Sequence, residues 1–425
     1  MESHRTLPLE RFPFPPAALF AAALGALLAF PEAPAAAERP GRDPFETAGA
    51  LLEAQRFSEA RDLALRALRA GASGKEALAW RCLVAESYQL EGDFEEAEKA
   101  YAALAGSARG PLGVEVALRL AKCRLQMWDP RGAVEVLDRI PAEDLGDRRP
   151  EREELRAIAL FVSGKAAEAQ KILRGIERKS DSGWHYLGLI AFNVGDYAAA
   201  AEHFERALAE APGDYYNRLY RAQSLLELGR LEEARAAFRR ILGAVETPEA
   251  HQLLGKVELR AERFAEAEKH FRRAIEMSPK NAEAHFGLAT ALRRLKKTDE
   301  AKGAAAKFQE LHIEQQKALD VAYKLHQEHE ANPGDAGVAE ELARHYLATD
   351  DPAAAERMAW HAVRADPART EGRLALARTY ARVGQYREAA LHYRRILKDR
   401  PGHPEAEREL GELIRRHARR VDGDR

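Results

Sequence analysis

Two cysteines, Cys82 and Cys123, are all that 425 residues contain, so a disulfide framework is not what holds this chain together. Neither follows an apolar leader, where a lipid-attachment cysteine would stand. In an exported chain they could pair only if adjacent helices brought them close; as small apolar side chains they read first as buried free thiols. No apolar run reaches the roughly 20 residues that a membrane-spanning helix needs. Charge of one sign is missing too: Lys and Arg number 66 against 68 Asp and Glu, a formal net charge of -2. That balance excludes a whole-molecule polyanion binder or a polybasic membrane adsorber and leaves only local preferences. There is no G-x-S-x-G, no phosphate loop, no His-Glu-x-x-His and no paired-cysteine metal motif. Gly74-Lys75 and Gly164-Lys165 lack the hydroxyl residue that a phosphate loop requires. We therefore expect no catalytic residue, no cofactor and no metal.

What is present begins with a leader. Arg5 and Arg11 precede an apolar run from Ala17 to Phe30, followed by Pro31 and the small residues of Ala33–Ala37. A run of that length suits the core of a secretory signal, with cleavage after Ala35 or Ala37. The alternative is an uncleaved anchor, consistent with Glu2 and Glu10, which dilute the leader's positive charge. Either way the expected location is extracytoplasmic, periplasmic in a bacterial source, with membrane contact only if the segment stays attached.

Beyond the leader an alanine recurs at Ala60, Ala97, Ala133, Ala169, Ala200, Ala234, Ala267, Ala301, Ala355 and Ala389. Each stands twelve positions after another small residue: Ala48, Ala85, Ala121, Ala157, Gly188, Ala222, Gly255, Ala289, Ala343 and Ala377. The interval from one later alanine to the next varies, shortest from Ala169 to Ala200 and longest from Ala301 to Ala355, whereas the offset of twelve never does. Fixed helix packing joined by adjustable turns produces that pattern. The unit is a helix, a turn and a second helix, and such units stack in one dimension.

From Trp184 to Pro212 the sequence resembles the tetratricopeptide repeat, with Trp184, Leu187, Gly188, Gly195, Tyr197, Ala200, Phe204, Ala207 and Pro212 in the family's places. Neighbouring units repeat it with Gly229, Ala234 and Phe238; with Leu254, Gly255, Phe264, Ala267, Phe271, Ala274 and Pro279; and with Tyr380, Gly384, Tyr386, Ala389, Tyr393 and Pro401. The resemblance covers roughly residues 41 to 420. The first four units depart from it, with Gln55 and Trp128 where a turn glycine is usual and Pro130 in the aromatic place. Physical reasons stand beside the family pattern. Gly195, Gly229 and Gly384 end first helices where a left-handed residue is needed, and Pro212, Pro279, Pro367 and Pro401 follow second helices that proline cannot extend. Apolar residues three and four apart, as in Phe204, Ala207 and Leu208, give each helix one buried stripe. The expected fold is all-α: a right-handed superhelical solenoid of about ten helix-turn-helix repeats with a C-terminal capping helix.

The interval from Ala301 to Ala355 exceeds its regular neighbours by some five helical turns, and Thr298 to Glu330 contains no proline and only Gly303. It reads as one long helix, about 30 Å longer than a normal second helix. A heptad seam of Phe308, Leu311, Gln315, Ala318, Ala322, Leu325 and His329 is weak, so packing against the chain's own repeats is favoured over a coiled coil. His326 and His329 lie three apart on one face with no third ligand, and read as solvent-facing rather than metal-binding. The expected layout is a leader over 1–37, eight repeats over 38–312, helix extension and linker over 313–335, two further repeats over 336–402, and a capping helix and tail over 403–425. The tail's Arg415, Arg416, Arg419 and Arg420 read as a basic helix end beside the dipole, without nucleic acid as partner.

The resemblance implies that first helices line an inner, concave face. Its offsets nominate His185, Leu189, Phe192, Asn193, Gln223 and Leu226 as a mixed apolar and amide stretch, with Glu227 among them. Further on they nominate a basic row of Lys256, Arg260, Arg293, Arg294, Arg344, Arg378 and Arg382. Arginine forks pair with carboxylates and phosphates, so a row left open would favour an acidic protein or peptide; glutamates on adjacent repeats would neutralise it. The expected function is a non-enzymatic protein-interaction scaffold in the cell envelope. The resemblance implies support for assembly of envelope, secretion or polysaccharide machinery. The alternatives are a helical-solenoid hydrolase acting on cell-wall glycan, which needs two carboxylates across a cleft, and a membrane-tethered oligomeric adaptor. Partner identity and stoichiometry are not written in the sequence.

Overall fold

The computed structural model describes residues 44 to 422 apart from Arg178, with side chains described as far as His417. The leader over 1–37, and with it the export reading, lies outside the described residues, as do the side chains of Arg419 and Arg420. Among the described residues no helix is long and apolar enough to cross a membrane.

The repeats follow the alanine register. Ten helical pairs run in order: α1 (Pro44–Glu53) with α2 (Phe57–Arg69), α3 (Gly74–Glu91) with α4 (Phe94–Ala105), α5 (Gly110–Gln126) with α6 (Pro130–Asp138), and α7 (Arg149–Val162) with α8 (Ala166–Gly175). Next come α9 (Asp181–Asn193) with α10 (Tyr197–Glu210), α11 (Tyr215–Glu227) with α12 (Leu231–Ala244), α13 (Pro248–Arg260) with α14 (Phe264–Met277), and α15 (Ala282–Arg294) with α16 (Thr298–Ala331). The last pairs are α17 (Ala336–Ala348) with α18 (Pro352–Ala365) and α19 (Thr370–Arg382) with α20 (Tyr386–Asp399), followed by α21 (Pro404–Asp422). The described residues contain no strand, so the fold is all-α.

The small residues are where the helices meet. Every one of the twenty register positions is buried except Ala301 at the start of α16, which is half-buried. A Cβ on Gly287 would lie 2.3 Å from the ring of Phe271, and one on Gly188 would lie 2.6 Å from the ring of Phe204. Glycine there lets a first helix settle on an aromatic side chain of a second helix. Phe204, Phe238 and Phe271 are each fully buried, and burying a side chain of that size contributes about 1.5–3 kcal/mol.

The turn inside each pair is equally regular. Five positions before each later alanine the backbone has positive φ: Gln55, Gly92, Trp128, Gly164, Gly195, Gly229, Glu262, Lys296, Asp350 and Gly384. Only the left-handed region brings the chain round so tightly, and the next amide then bonds back to the first helix, as Asp93 N does to Tyr88 O at 2.9 Å. Asp93, Asp129, Asp196 and Asp351 follow as N-caps of second helices, each accepting a hydrogen bond from a backbone amide of the first turn.

The chain forms two compact units. Unit 2 comprises residues 179–324, and unit 1 comprises the residues up to 178 together with those from 325 onward. Unit 1 thus brings the first four pairs against the last two, although the whole of unit 2 lies between them in the sequence. The division cuts through α16, a single helix of 34 residues. Its last turns belong to unit 1, where Leu325 packs on the core around Trp360. His326 Nε2 lies 2.6 Å from the Tyr346 hydroxyl, and His329 Nε2 lies 3.3 Å from His361 Nδ1. His329 is buried, and burial lowers its pKa. The expectation that these histidines face solvent is therefore corrected: the helix end is covered by the pair α17/α18, which the sequence pattern alone does not place. Cys82 and Cys123 are free thiols, Cys82 half-buried and Cys123 buried, and burial raises both pKa values.

Candidate interaction surfaces

In unit 2 the inner-face offsets divide into buried and open positions. His185 is buried with its Nδ1 2.7 Å from Asn217 Oδ1, and burial lowers its pKa. Leu189 and Leu226 are also buried. These three are corrected from surface to interior, because a first helix in a stack is flanked by its own second helix and by neighbouring pairs, which leaves only a narrow stripe open. Phe192 and Gln223 are half-buried and Asn193 is exposed. Phe192 meets the rings of Tyr197 and Tyr220 at 5.4 and 5.6 Å, so it serves the interior as much as the surface.

The basic row is mostly neutralised from within. Lys256 pairs with Glu283 at 3.1 Å, and Arg260 pairs with Glu227 at 2.9 Å while donating to the Leu226 carbonyl at 2.6 Å. Arg294 approaches Glu262 at 3.7 Å and lies over the Phe264 ring. In unit 1, Arg378 joins Glu405 and Glu409, and Arg382 joins Asp350 at 2.6 Å. Such pairs on exposed helices contribute little to stability, yet they remove open charge. Arg293 in unit 2 and Arg344 in unit 1 are exposed and have no ion-pair partner among the described residues.

The stripe of Arg293 also carries a residue that the inner-face offsets leave out, Phe286. Phe286 and Thr290 share that helical stripe on α15, and the Phe286 side chain is 53% exposed. Phe286 meets Phe308 at 5.2 Å, and Phe308 stacks on His312 at 5.6 Å. An exposed aromatic and an unpaired guanidinium thus stand about two helical turns apart on one face of α15 in unit 2. Among the described residues no group of three or more His, Cys, Asp or Glu is placed to hold a metal ion. Glu227 is committed to Arg260, and Glu276 and Glu300, which line the groove between α14 and α16, are committed to Arg273 and Arg272.

Unit 1 has a second kind of surface, where its two chain segments meet. Trp128, at φ 53°, sends its indole into the core formed by Leu342, Met358, Trp360, Leu376 and Tyr380. Gln55, at φ 58°, accepts a hydrogen bond from Arg387 at 3.2 Å. Around them Arg373 grips both oxygens of Glu95, and Arg395 reaches Asp93 at 2.9 Å as well as Glu95 and Glu96. Arg364 donates to the Met127 carbonyl. Burial pushes the Glu95 pKa up, but the hydrogen bond and charge of Arg373, with Arg395 beside it, outweigh that and hold it below its usual value. Behind this rim Glu356 is buried, accepting from the Tyr380 hydroxyl at 2.9 Å. Burial pushes its pKa up to about 8 against the opposing hydrogen bonds of Tyr380, Trp128 and Trp360.

Comparisons with known proteins bear on the repeats. Tetratricopeptide-repeat profiles match residues 191–257, residues 154–215 and 253–311, and residues 370–413. Among curated proteins none matches by sequence. Among solved structures, a tetratricopeptide repeat protein from Parabacteroides merdae is 15% identical over 59% of this chain and 97% of its own, with a TM-score of 0.41. MamA from Desulfovibrio magneticus is 20% identical over 37% of this chain and 92% of its own, at 0.35. A chain of the APC/C hetero-tetramer Cut9-Hcn1 is 12% identical over 87% of this chain and 89% of its own, at 0.33. The paired helices, the buried small-residue register and the profile matches agree: over residues 154–311 and 370–413 the chain carries tetratricopeptide repeats.

Proposed function

We propose that this protein is a non-catalytic interaction scaffold that holds a protein or peptide partner on the first-helix face of unit 2, centred on Phe286, Thr290 and Arg293. The observation that carries this reading is the exposed Phe286 ring on the same helical stripe as Arg293, a guanidinium without an ion-pair partner among the described residues, in a row whose other members in unit 2 are tied to in-chain carboxylates. An apolar side chain followed by a carboxylate complements that stripe, and arginine recognises a carboxylate through paired hydrogen bonds. A random-peptide library selected on the full chain should enrich such sequences. Phe286→Ala and Arg293→Glu should each weaken the selected peptides at least tenfold, or about 1.4 kcal/mol. Unchanged affinity in both variants would remove the surface from consideration.

The setting that we propose is the cell envelope. Its support is the sequence: two arginines, an apolar run of signal length and a small-residue stretch before the first repeat. N-terminal sequencing of the protein recovered from fractionated cells should find a chain starting at Ala36 or Glu38. An intact Met1 in the cytoplasmic fraction would overturn export.

A further inference from the structure

We propose that the junction inside unit 1 is a protein–protein docking surface which the chain fills with its own C-terminal repeats, and that a second copy of this chain can fill it instead by reciprocal exchange.

Stacked repeats need contact only with their neighbours in sequence. The pairs α1/α2 to α7/α8 satisfy that rule among themselves, and α17 to α21 do the same, each helix packing on the next. The contact between the two segments is additional to both stacks and joins remote positions, such as Glu95 with Arg373. The stacks of unit 1 are joined by alanines, leucines and buried aromatics such as Trp80 and Tyr101, with arginine–carboxylate pairs such as Arg119 with Glu86 between neighbouring helices. The junction has a buried aromatic anchor, Trp128, with Phe94 packed on the same core, and complementary charge beside it, with Asp93, Glu95 and Glu96 on one side and Arg364, Arg373 and Arg395 on the other. A buried aromatic beside arginine–carboxylate pairs is the anatomy of an interface between separate proteins.

The residues that make the contact are also placed for it. They come from the turns of the first three pairs, and two of those turns carry Gln55 and Trp128 at positive φ, where the neighbouring turns carry Gly92 and Gly164. A side chain in that conformation costs roughly 1–2 kcal/mol, as it also does at Glu262, Lys296 and Asp350 in the same turn of other repeats. The Gln55 and Trp128 side chains reach the C-terminal repeats. Charge complementarity, a self-contained stack on each side and a contact between remote segments together define a surface that any copy's C-terminal repeats satisfy equally well. Exchange of identical elements between copies then needs no new contact.

The test is a charge swap in the full chain. One variant carries Arg373→Glu and Arg395→Glu, which makes both sides of the rim acidic. A second carries Glu95→Arg and Glu96→Arg, which makes both sides basic. Each alone should stay monomeric by light scattering, and its C-terminal repeats should be cut by trypsin at least tenfold faster than in the parent chain. Mixed at equal concentration, the two variants should form a 1:1 dimer at twice the monomer mass, because each now completes the other. The chain carrying all four substitutions should close on itself as a monomer, which shows that the substituted segments fold. A mixture that stays monomeric while the fourfold variant closes would overturn exchange and leave the junction purely intramolecular. If either single-sided variant fails to fold, parent chains labelled in two pools decide instead. Energy transfer should grow with protein concentration and be lost when Trp128→Ala is present in both pools; no transfer at any concentration would equally overturn the proposal.

Discussion

Trp128→Ala should destabilise unit 1 by about 3–5 kcal/mol, the usual cost of deleting a large buried aromatic. The indole is 5% exposed and lies among Met358, Trp360, Val363 and Tyr380, so its loss empties a space bounded by rigid neighbours that cannot collapse to fill it. Truncation also removes one of the groups that favour the ionised form of Glu356. A companion variant separates the side chain from the backbone. Trp128→Gly deletes the same indole but leaves glycine at φ 53°, a conformation that glycine adopts without strain. It should therefore be about 1 kcal/mol more stable than the alanine variant. Denaturant unfolding with a probe in unit 1 measures both. Equal stability of the two variants would mean that the turn is unstrained, and a loss below about 1 kcal/mol for either would mean that the indole does not anchor the junction.

That experiment bears on what the sequence could and could not disclose. The repeating pairs were legible because small residues twelve apart report a contact made within each repeat, and that contact recurs with little change from Ala48 with Ala60 to Ala377 with Ala389. The turn is legible in the same register, five positions before each later alanine, once its φ is known. Five of the ten turns carry no glycine, and Gln55 and Trp128 stood out as departures. Their meaning was not legible, because it lies in Arg387 and in the Trp360 core, at the far end of the sequence. No helical period reports a contact between remote repeats. The basic row shows the same limit. Offsets along a helix correctly left Arg260, Arg293 and Arg294 exposed, but which of them is neutralised depends on the facing carboxylate. Glu227 faces Arg260 and Glu262 faces Arg294, each from the preceding repeat, while no counterpart among the described residues meets Arg293. His185 and Leu226 were misplaced because their burial is set by neighbours on both flanks, whereas the offset rule describes one helix alone.

Glu356→Gln should change how the stability of unit 1 depends on pH. The carboxyl is 3% exposed, and burial moves its pKa from the ordinary 4.5 to about 8 in the folded chain. Between those values the folded state holds a proton that the unfolded state releases, so the contribution of Glu356 falls as pH rises through that window and is fully lost above it. At about 1.4 kcal/mol per pKa unit, glutamine, which accepts the Tyr380 hydrogen bond without ever ionising, should stabilise unit 1 by roughly 2–3 kcal/mol at pH 7. The gain should be larger at pH 9 and absent at pH 4. Two neighbours act in the opposite direction: burial drives His361 and His392 down to about 3, so their contribution is present above pH 6.5 and is lost as pH falls toward 3. Glu388, which burial also raises, lies in the same region and adds to the decline at high pH. The difference between parent and Gln variant, measured by denaturant unfolding at pH 4, 7 and 9, isolates Glu356 because the other three groups are common to both chains. A flat difference across that range would show that the carboxyl is not held neutral at the junction. A difference that grows with pH would mark Glu356 as the group that loosens the closed form of unit 1 on the alkaline side, and would make pH a handle on the exchange between copies.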